Sequence, residues 1–235
     1  WRERQESSSR FARMQNVSVP DGESRPPRPG RHPRVRSDRI FVTAKPNVGV
    51  LALQGDVVEH LKALDASGVR PVEVKTPSDL AAVDALVIPG GESTTVIRLL
   101  ERFELDAPIV ERVRAGMPVW GTCMGMIVAA HDVADLQQRT LDLIDITVRR
   151  NAFGRQVASA EVSIDVPALG AKRFPAIFIR APWIERAGPG VEVLASVDGH
   201  GVFVRQRNAI ATSFHPELTR DHRVHRYFVA MIDDR

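Results

Sequence analysis

Three short apolar runs constrain this chain most: residues 48–53 (VGVLAL), 85–88 (ALVI) and 117–120 (MPVW). Each runs into a turn and then into a helix-spaced segment. Uninterrupted runs of that length mark strands buried on both faces rather than one. After the first, Val57, Val58, Leu61 and Leu64 recur at helical spacing and Gly68 is a natural stop. Residues 69–75 read as a second strand. The turn Pro89-Gly90-Gly91 leads to a helix through Ile97, Leu99 and Leu100, and another runs up to Arg114. After 117–120 comes a glycine–cysteine turn, and residues 126–133 read as helix. Strands alternating with helices imply a parallel sheet with helices on both faces. Beyond about residue 141 the texture changes to short alternating segments: 145–149, 159–165, 177–180, 192–196, 202–205 and 209–213. These predict a more antiparallel half, closed by a helix over 220–232. The expected fold is therefore α/β, a single domain over 47–235 with a central, mostly parallel sheet flanked by helices.

Residues 1–46 are set apart. They are rich in Arg, Pro and Ser, lack apolar periodicity, and are expected to be disordered. Residues 1–40 hold ten Arg against five acidic residues, so they carry +5 of a net charge of only +3. The basic balance thus lies outside the expected fold and does not argue for nucleic-acid binding. The stretch from Val42 onward (VTAKPNVGVLALQGD) reads as a natural protein start, with residues 1–41 upstream sequence. A species retaining Trp1, found by intact mass of protein from its own host, would refute that expectation. One cysteine in 235 residues excludes an internal disulfide framework and a multi-cysteine zinc site, and fits a reducing cytoplasm. No uncharged apolar stretch approaches the roughly 18 residues of a membrane span.

That cysteine, Cys123, sits in Gly121-Thr122-Cys123-Met124-Gly125 between an expected strand and helix. Strand–turn–helix elbows of this form present nucleophiles, with Cys here in the Ser position. A helix N-terminus favours the thiolate and offers backbone N–H groups to an oxyanion. A nucleophilic thiol needs a base, and the base an orienting group. Ser213-Phe214-His215-Pro216-Glu217 supplies both, following an apolar strand, and open α/β sheets gather their sites at strand C-terminal ends. The segment Pro89–Thr95 (PGGESTT) is a second such loop. Its glycines leave N–H groups bare for an oxyanion, and Ser93 or Thr94 is expected to cap the next helix. Of the remaining histidines, His60, His131, His200, His222 and His225 read as helix or turn residues without metal-ligand spacing.

Together these motifs resemble the class I (triad) glutamine amidotransferases. VGVLALQGDVVEH, IPGGESTT, RRNAFGRQ, FIRAP and SFHPELTRDHR, in that order over about 47–234, resemble the glutaminase subunits of pyridoxal 5′-phosphate synthase. The resemblance implies a flavodoxin-like amidotransferase fold. It implies Cys123 as nucleophile, His215 as base and Glu217 as orienting acid. It implies Gly91, Glu92, Ser93, Arg150, Ile179 and Arg180 as contacts to L-glutamine, and Gly90, Gly91 and Met124 around the oxyanion. Arg and backbone donors suit the α-carboxylate of glutamine, and an acidic group suits its α-ammonium. It implies no metal and no cofactor in this subunit, a cytoplasmic location, and a synthase partner that receives ammonia and switches the glutaminase on. Met124 departs from the small residue usual there and is expected to narrow the pocket or touch the ammonia exit. An ordered extension before residue 47 would obstruct docking near Gln54-Gly55-Asp56. Three rivals remain at this point: a glutaminase of another pathway, a free-standing cysteine hydrolase or γ-glutamyl peptidase, and a non-catalytic regulatory subunit.

Overall fold

The computed structural model describes residues 45–150 and 159–233. The expectation of disorder over 1–46 lies outside these residues except at Lys45 and Pro46, and so does residues 151–156 of the RRNAFGRQ segment. Five strands form the parallel core: β1 (Asn47–Leu51), β2 (Arg70–Val74), β3 (Ala85–Ile88), β4 (Val119–Thr122) and, late in the chain, a strand at Ala209–Thr212. The others in chain order are β5 (Ala130–Val133), β6 (Ile144–Arg149), β7 (Ser159–Ile164), β8 (Phe174–Ile179), β9 (Trp183–Ala187), β10 (Glu192–Val197) and β11 (His200–Gln206), which makes Ala209–Thr212 β12. The main sheet runs β2-β1-β3-β4-β12-β11-β9-β6-β5, with β10 on β11. Its first five strands are parallel throughout. Their order is that of the flavodoxin-like sheet. From β12 onward the pairings β12–β11, β11–β9 and β9–β6 are antiparallel, and β6–β5 is parallel again. β7 and β8 form a separate antiparallel ribbon.

Both faces of β1, β3, β4 and β12 are covered, which is why these strands are almost wholly buried, while the edge strand β2 keeps Arg70 and Glu73 exposed. Leu51, Leu86, Ile88, Val119 and Ala211 pack on one side. There they meet α2 (Pro77–Ala81), α3 (Ser93–Arg102), α4 (Asp106–Arg114) and α5 (Met124–Ala129), through residues such as Leu80, Leu100, Ile109 and Ile127. Val48, Val50, Val87, Trp120 and Ile210 pack on the other side, with α1 (Val57–Asp65), α6 (Arg223–Asp233) and the β7–β8 ribbon. Among the described residues no helix is long and apolar enough to cross a membrane.

Three local expectations are corrected. The segment 126–133 is not one helix: α5 stops at Ala129 and β5 begins at Ala130. The apolar residues of MGMIVAAHDV suit either state, and pairing with β6 decides it. Two short elements, α2 and β9, were not anticipated; α2 is held by a capping box at Thr76 and Asp79. The cap of α3 is Glu92, not Ser93 or Thr94. Its carboxylate accepts from the N–H groups of Thr94 and Thr95 at 3.3 and 2.8 Å.

The elbow needs its glycines for space. A Cβ at Gly125 would overlap the carbonyl oxygen of Ile88, and one at Gly121 would overlap that of Gly125. These neighbours are backbone and cannot rotate away. Gly125→Ala is therefore expected to cost roughly 2–4 kcal/mol, a fall in Tm of roughly 5–15 °C by thermal melt. An unchanged Tm would mean that β3 and α5 are not pressed together here.

Candidate active site

The loops after β1, β3, β4 and β12 meet at the carboxyl ends of their strands, around a cavity of about 430 Å³. Cys123 lies at its floor, at the N-cap of α5, with φ 49°. A left-handed conformation is costly for a residue with a side chain, and elbows that hold it put the side chain above the sheet. Its N–H donates to the Thr212 carbonyl of β12 at 2.7 Å, which ties the elbow to the strand that carries the histidine. Sγ is 3.8 Å from the carbonyl oxygen of Ile179 at the end of β8.

His215 is the third residue after β12, and its backbone N–H donates to the carbonyl of Ile177 of β8. Its ring abuts Gly90, where a Cβ would come within 2.8 Å of His215 Cε1 and 3.5 Å of Cys123 Cβ. Gly90 is thus a bare wall that lets cysteine and histidine approach. Nδ1 of His215 donates to Glu217 Oε1 at 2.7 Å, and Glu217 is buried in the short 3-10 turn Pro216–Leu218. Burial opposes charge on His215, but hydrogen bonding to Cys123 and Glu217, with their negative charges, outweighs it. The imidazole is pushed up to about 10. Burial raises Glu217 above the usual carboxylate range, against the pull of His215. A thiol, an imidazole and a carboxylate in this order have the chemistry for nucleophilic attack with proton transfer.

Gly91, Glu92, Met124, Arg150, Ile179 and Arg180 all line the cavity. Arg150, at the end of β6, places Nη2 3.5 Å from Glu92 Oε1. Burial works against ionised Glu92, but the hydroxyls and N–H groups of Thr94 and Thr95 hold it down at about 2. An anionic and a cationic side chain thus stand together on one wall. Arg180 has φ 44°, so the FIRAP turn presents it in a conformation that side chains seldom adopt. Met124, the first residue of α5, is buried and lines the cavity. Ser93 is not brought to the cavity: it is buried and its hydroxyl donates to Gln138 Oε1 at 3.1 Å.

Sequence reasoning missed part of the site. Gln54, Gly55 and Asp56, read only as a turn near a partner, line the same cavity. Gln54 Oε1 accepts from the Glu92 N–H at 3.1 Å, tying the two loops together. Asp56 Oδ2 is 3.3 Å from His215 Nδ1. The available signal was their place directly after a buried strand. Asp56, His215 and Glu217 bring one donor atom each within 4.8 Å of one another. Nδ1 of His215 and Oε1 of Glu217 are already bonded to each other, so the three are not a set of free ligands.

The model of the SNO glutamine amidotransferase family matches residues 50–234. Pyridoxal 5′-phosphate synthase subunit PdxT of Mycobacteroides abscessus is 56% identical over 189 residues, 80% of this chain and 97% of the relative. The protein of the same name from Streptomyces avermitilis is also 56% identical, over 80% and 94%. A crystal structure of a glutamine amidotransferase, 44% identical, superposes with a TM-score of 0.75 over 79% of this chain and 98% of that one. With the match running through every loop of the cavity described above, the chain belongs to the SNO glutamine amidotransferase family.

Proposed function

We propose that this chain hydrolyses L-glutamine to L-glutamate and ammonia, and passes the ammonia to a synthase subunit that makes pyridoxal 5′-phosphate from a pentose phosphate and a triose phosphate. The single observation that carries the reading is the row Cys123, His215, Glu217, whose first two members line a cavity together with Glu92 and Arg150. The likeness to subunits named for pyridoxal 5′-phosphate synthase supports the destination of the ammonia.

The thiolate of Cys123 attacks the side-chain amide carbon of glutamine, and the carbonyl oxygen becomes an oxyanion. Backbone N–H groups of Gly90, Gly91 and Met124 are the donors assigned to it. His215 gives its proton to the nitrogen, the C–N bond breaks and ammonia leaves, with a γ-glutamyl thioester on Cys123. His215, now neutral, takes a proton from water; the hydroxide adds, the C–S bond breaks, and glutamate leaves. In this reading Arg150 and Arg180 hold the substrate carboxylate, Ile179 and Gly91 are backbone contacts and Glu92 takes the ammonium, a reading supported by their all lining one cavity. Ser93 acts at one remove, through the backbone of the loop it anchors. Side chains of this chain and water carry every step. A lone thiol that must stay reduced supports a cytoplasmic setting for this reaction.

The test is glutamate release from glutamine by this protein alone and with a purified synthase subunit. Release that rises at least tenfold with the partner, a gain of about 1.4 kcal/mol in barrier, is the expected result. Equal release with and without it would make the chain a free-standing hydrolase. No release in either case would leave a non-catalytic subunit.

A further inference from the structure

Behind Cys123, His215 and Glu217 lies a chain of buried polar groups that the reaction above does not use. Glu217 has two carboxylate oxygens. Oε1 accepts from His215, while Oε2 is buried without a hydrogen-bond partner. A carboxylate oxygen left so is costly, and the more so in a low-dielectric site. The group beside it is His60, wholly buried on α1, with Nε2 3.4 Å from Oε2. The same nitrogen is 3.2 Å from Oγ1 of Thr122, the residue before the nucleophile. On the far side, His60 Nδ1 faces His225 Nε2 of α6 at 3.4 Å. Trp120 packs edge-on against both rings, at 5.6 and 4.9 Å between centroids.

With Glu217 ionised against the His215 imidazolium, this row has one consistent set of protons. An ionised carboxylate only accepts, so His60 must present Nε2–H to Glu217. His60 is held well below the usual imidazole range by burial first, with the His215 imidazolium also opposing a second positive charge. Its Nδ1 is then an acceptor and takes the Nε2–H of His225. That matches His225 Nδ1, which is buried without a hydrogen-bond partner and needs no proton. His225 is also kept neutral, pushed down to about 3 by burial and then by His222 and Arg226.

We propose that His60 is a positioning residue for the glutaminase reaction: its Nε2–H, set by His225 and shared with Thr122 Oγ1, steadies Oε2 of Glu217 so that Oε1 stays on His215. The proposal rests on the glutaminase reading. Without that donor, Glu217 either takes a proton or turns away, and His215 loses the acceptor that fixes its tautomer. Glutamine contacts are untouched, so the loss falls on kcat and not on KM.

The experiment compares His60→Gln with His60→Asn in the full chain, beside wild type and with the synthase subunit present. The Gln amide nitrogen can stand where Nε2 stood; the shorter Asn reaches only the Nδ1 position. His60→Gln is expected to keep kcat within about threefold, and His60→Asn to lose about ten- to a hundredfold, with KM changed less than twofold in both. Equal kcat in the two variants, high or low, overturns the proposal, as does a loss confined to KM. A wild type that releases no glutamate overturns the glutaminase reading instead, and this inference with it. The ¹⁵N chemical shifts of the histidine rings in unmodified protein decide the matter without any variant. Neutral His60 protonated at Nε2 is the expected state, and protonation at Nδ1 overturns the proposal.

Discussion

Cys123→Ala is expected to leave no measurable glutamine hydrolysis, a fall in kcat of about 10⁶-fold by comparison with other triad nucleophiles. The substitution removes one buried sulfur atom and little else. Ala meets the same penalty at φ 49° that Cys already bears, and the contacts that hold the turn, Cys123 N–H to Thr212 and Met126 N–H to Cys123, are backbone. The elbow and its neighbours therefore stay in place, and Tm is expected to move by no more than about 4 °C, as for a change near 1 kcal/mol. Arg150, Glu92 and Arg180 remain on the cavity wall, so glutamine is still expected to bind when titrated calorimetrically in the presence of the synthase subunit. Binding without turnover is the informative combination. It separates the thiol, which forms the bond, from the walls, which hold the substrate. Residual hydrolysis within a hundredfold of wild type would mean that water attacks glutamine directly, with Cys123 a bystander on a strained turn.

The elbow and its two partners were readable because each obeys a local rule. Cys123 stands between glycines after a buried strand. His215 and Glu217 follow another such strand, with proline between them. The parallel half of the sheet was readable for the same reason, since strands covered on both faces have unbroken apolar sequences. The second half was read only as broadly antiparallel. β9 carries the charged residues Glu185 and Arg186 on an edge-like surface, and its place between β11 and β6 is set by pairing across the chain. α5 and β5 share one apolar stretch, and nothing local marks the change at Ala130. His60 shows the sharper limit. In sequence it is one polar residue on an amphipathic helix. Its importance comes from Glu217 and His225, which lie 157 and 165 positions further on, and no period or spacing connects them. Asp56 was hidden in the same way, being an ordinary turn residue until the fold sets it beside His215.

His215→Asn is expected to reduce kcat by about 10⁵- to 10⁶-fold, more than the roughly 10⁴-fold expected of an orienting acid. Asn places an amide nitrogen near the Nδ1 position, where it can still donate to Glu217. It has no atom at Nε2, so the proton path to Cys123 and to the leaving nitrogen is cut. Gly90 lies against the ring, and the smaller side chain leaves a gap rather than a clash. The protein is therefore expected to fold, with a modest loss in Tm. Glutamate release by stopped assay over hours gives the rate. The imidazolium of wild type is held up to about 10 by burial-opposed contacts with Cys123 and Glu217, so at neutral pH it is the proton donor for departing ammonia. An Asn side chain cannot take that part. The double variant Cys123→Ala/His215→Asn is expected to be no slower than either single one, because residues that act as a unit do not add. The uncatalysed background then sets the floor for all three. A double variant clearly slower than both singles would mean that the thiol and the imidazole serve separate steps. The 2.7 Å bond from His215 to Glu217 would then orient a base for water alone, with no bearing on how Cys123 is activated.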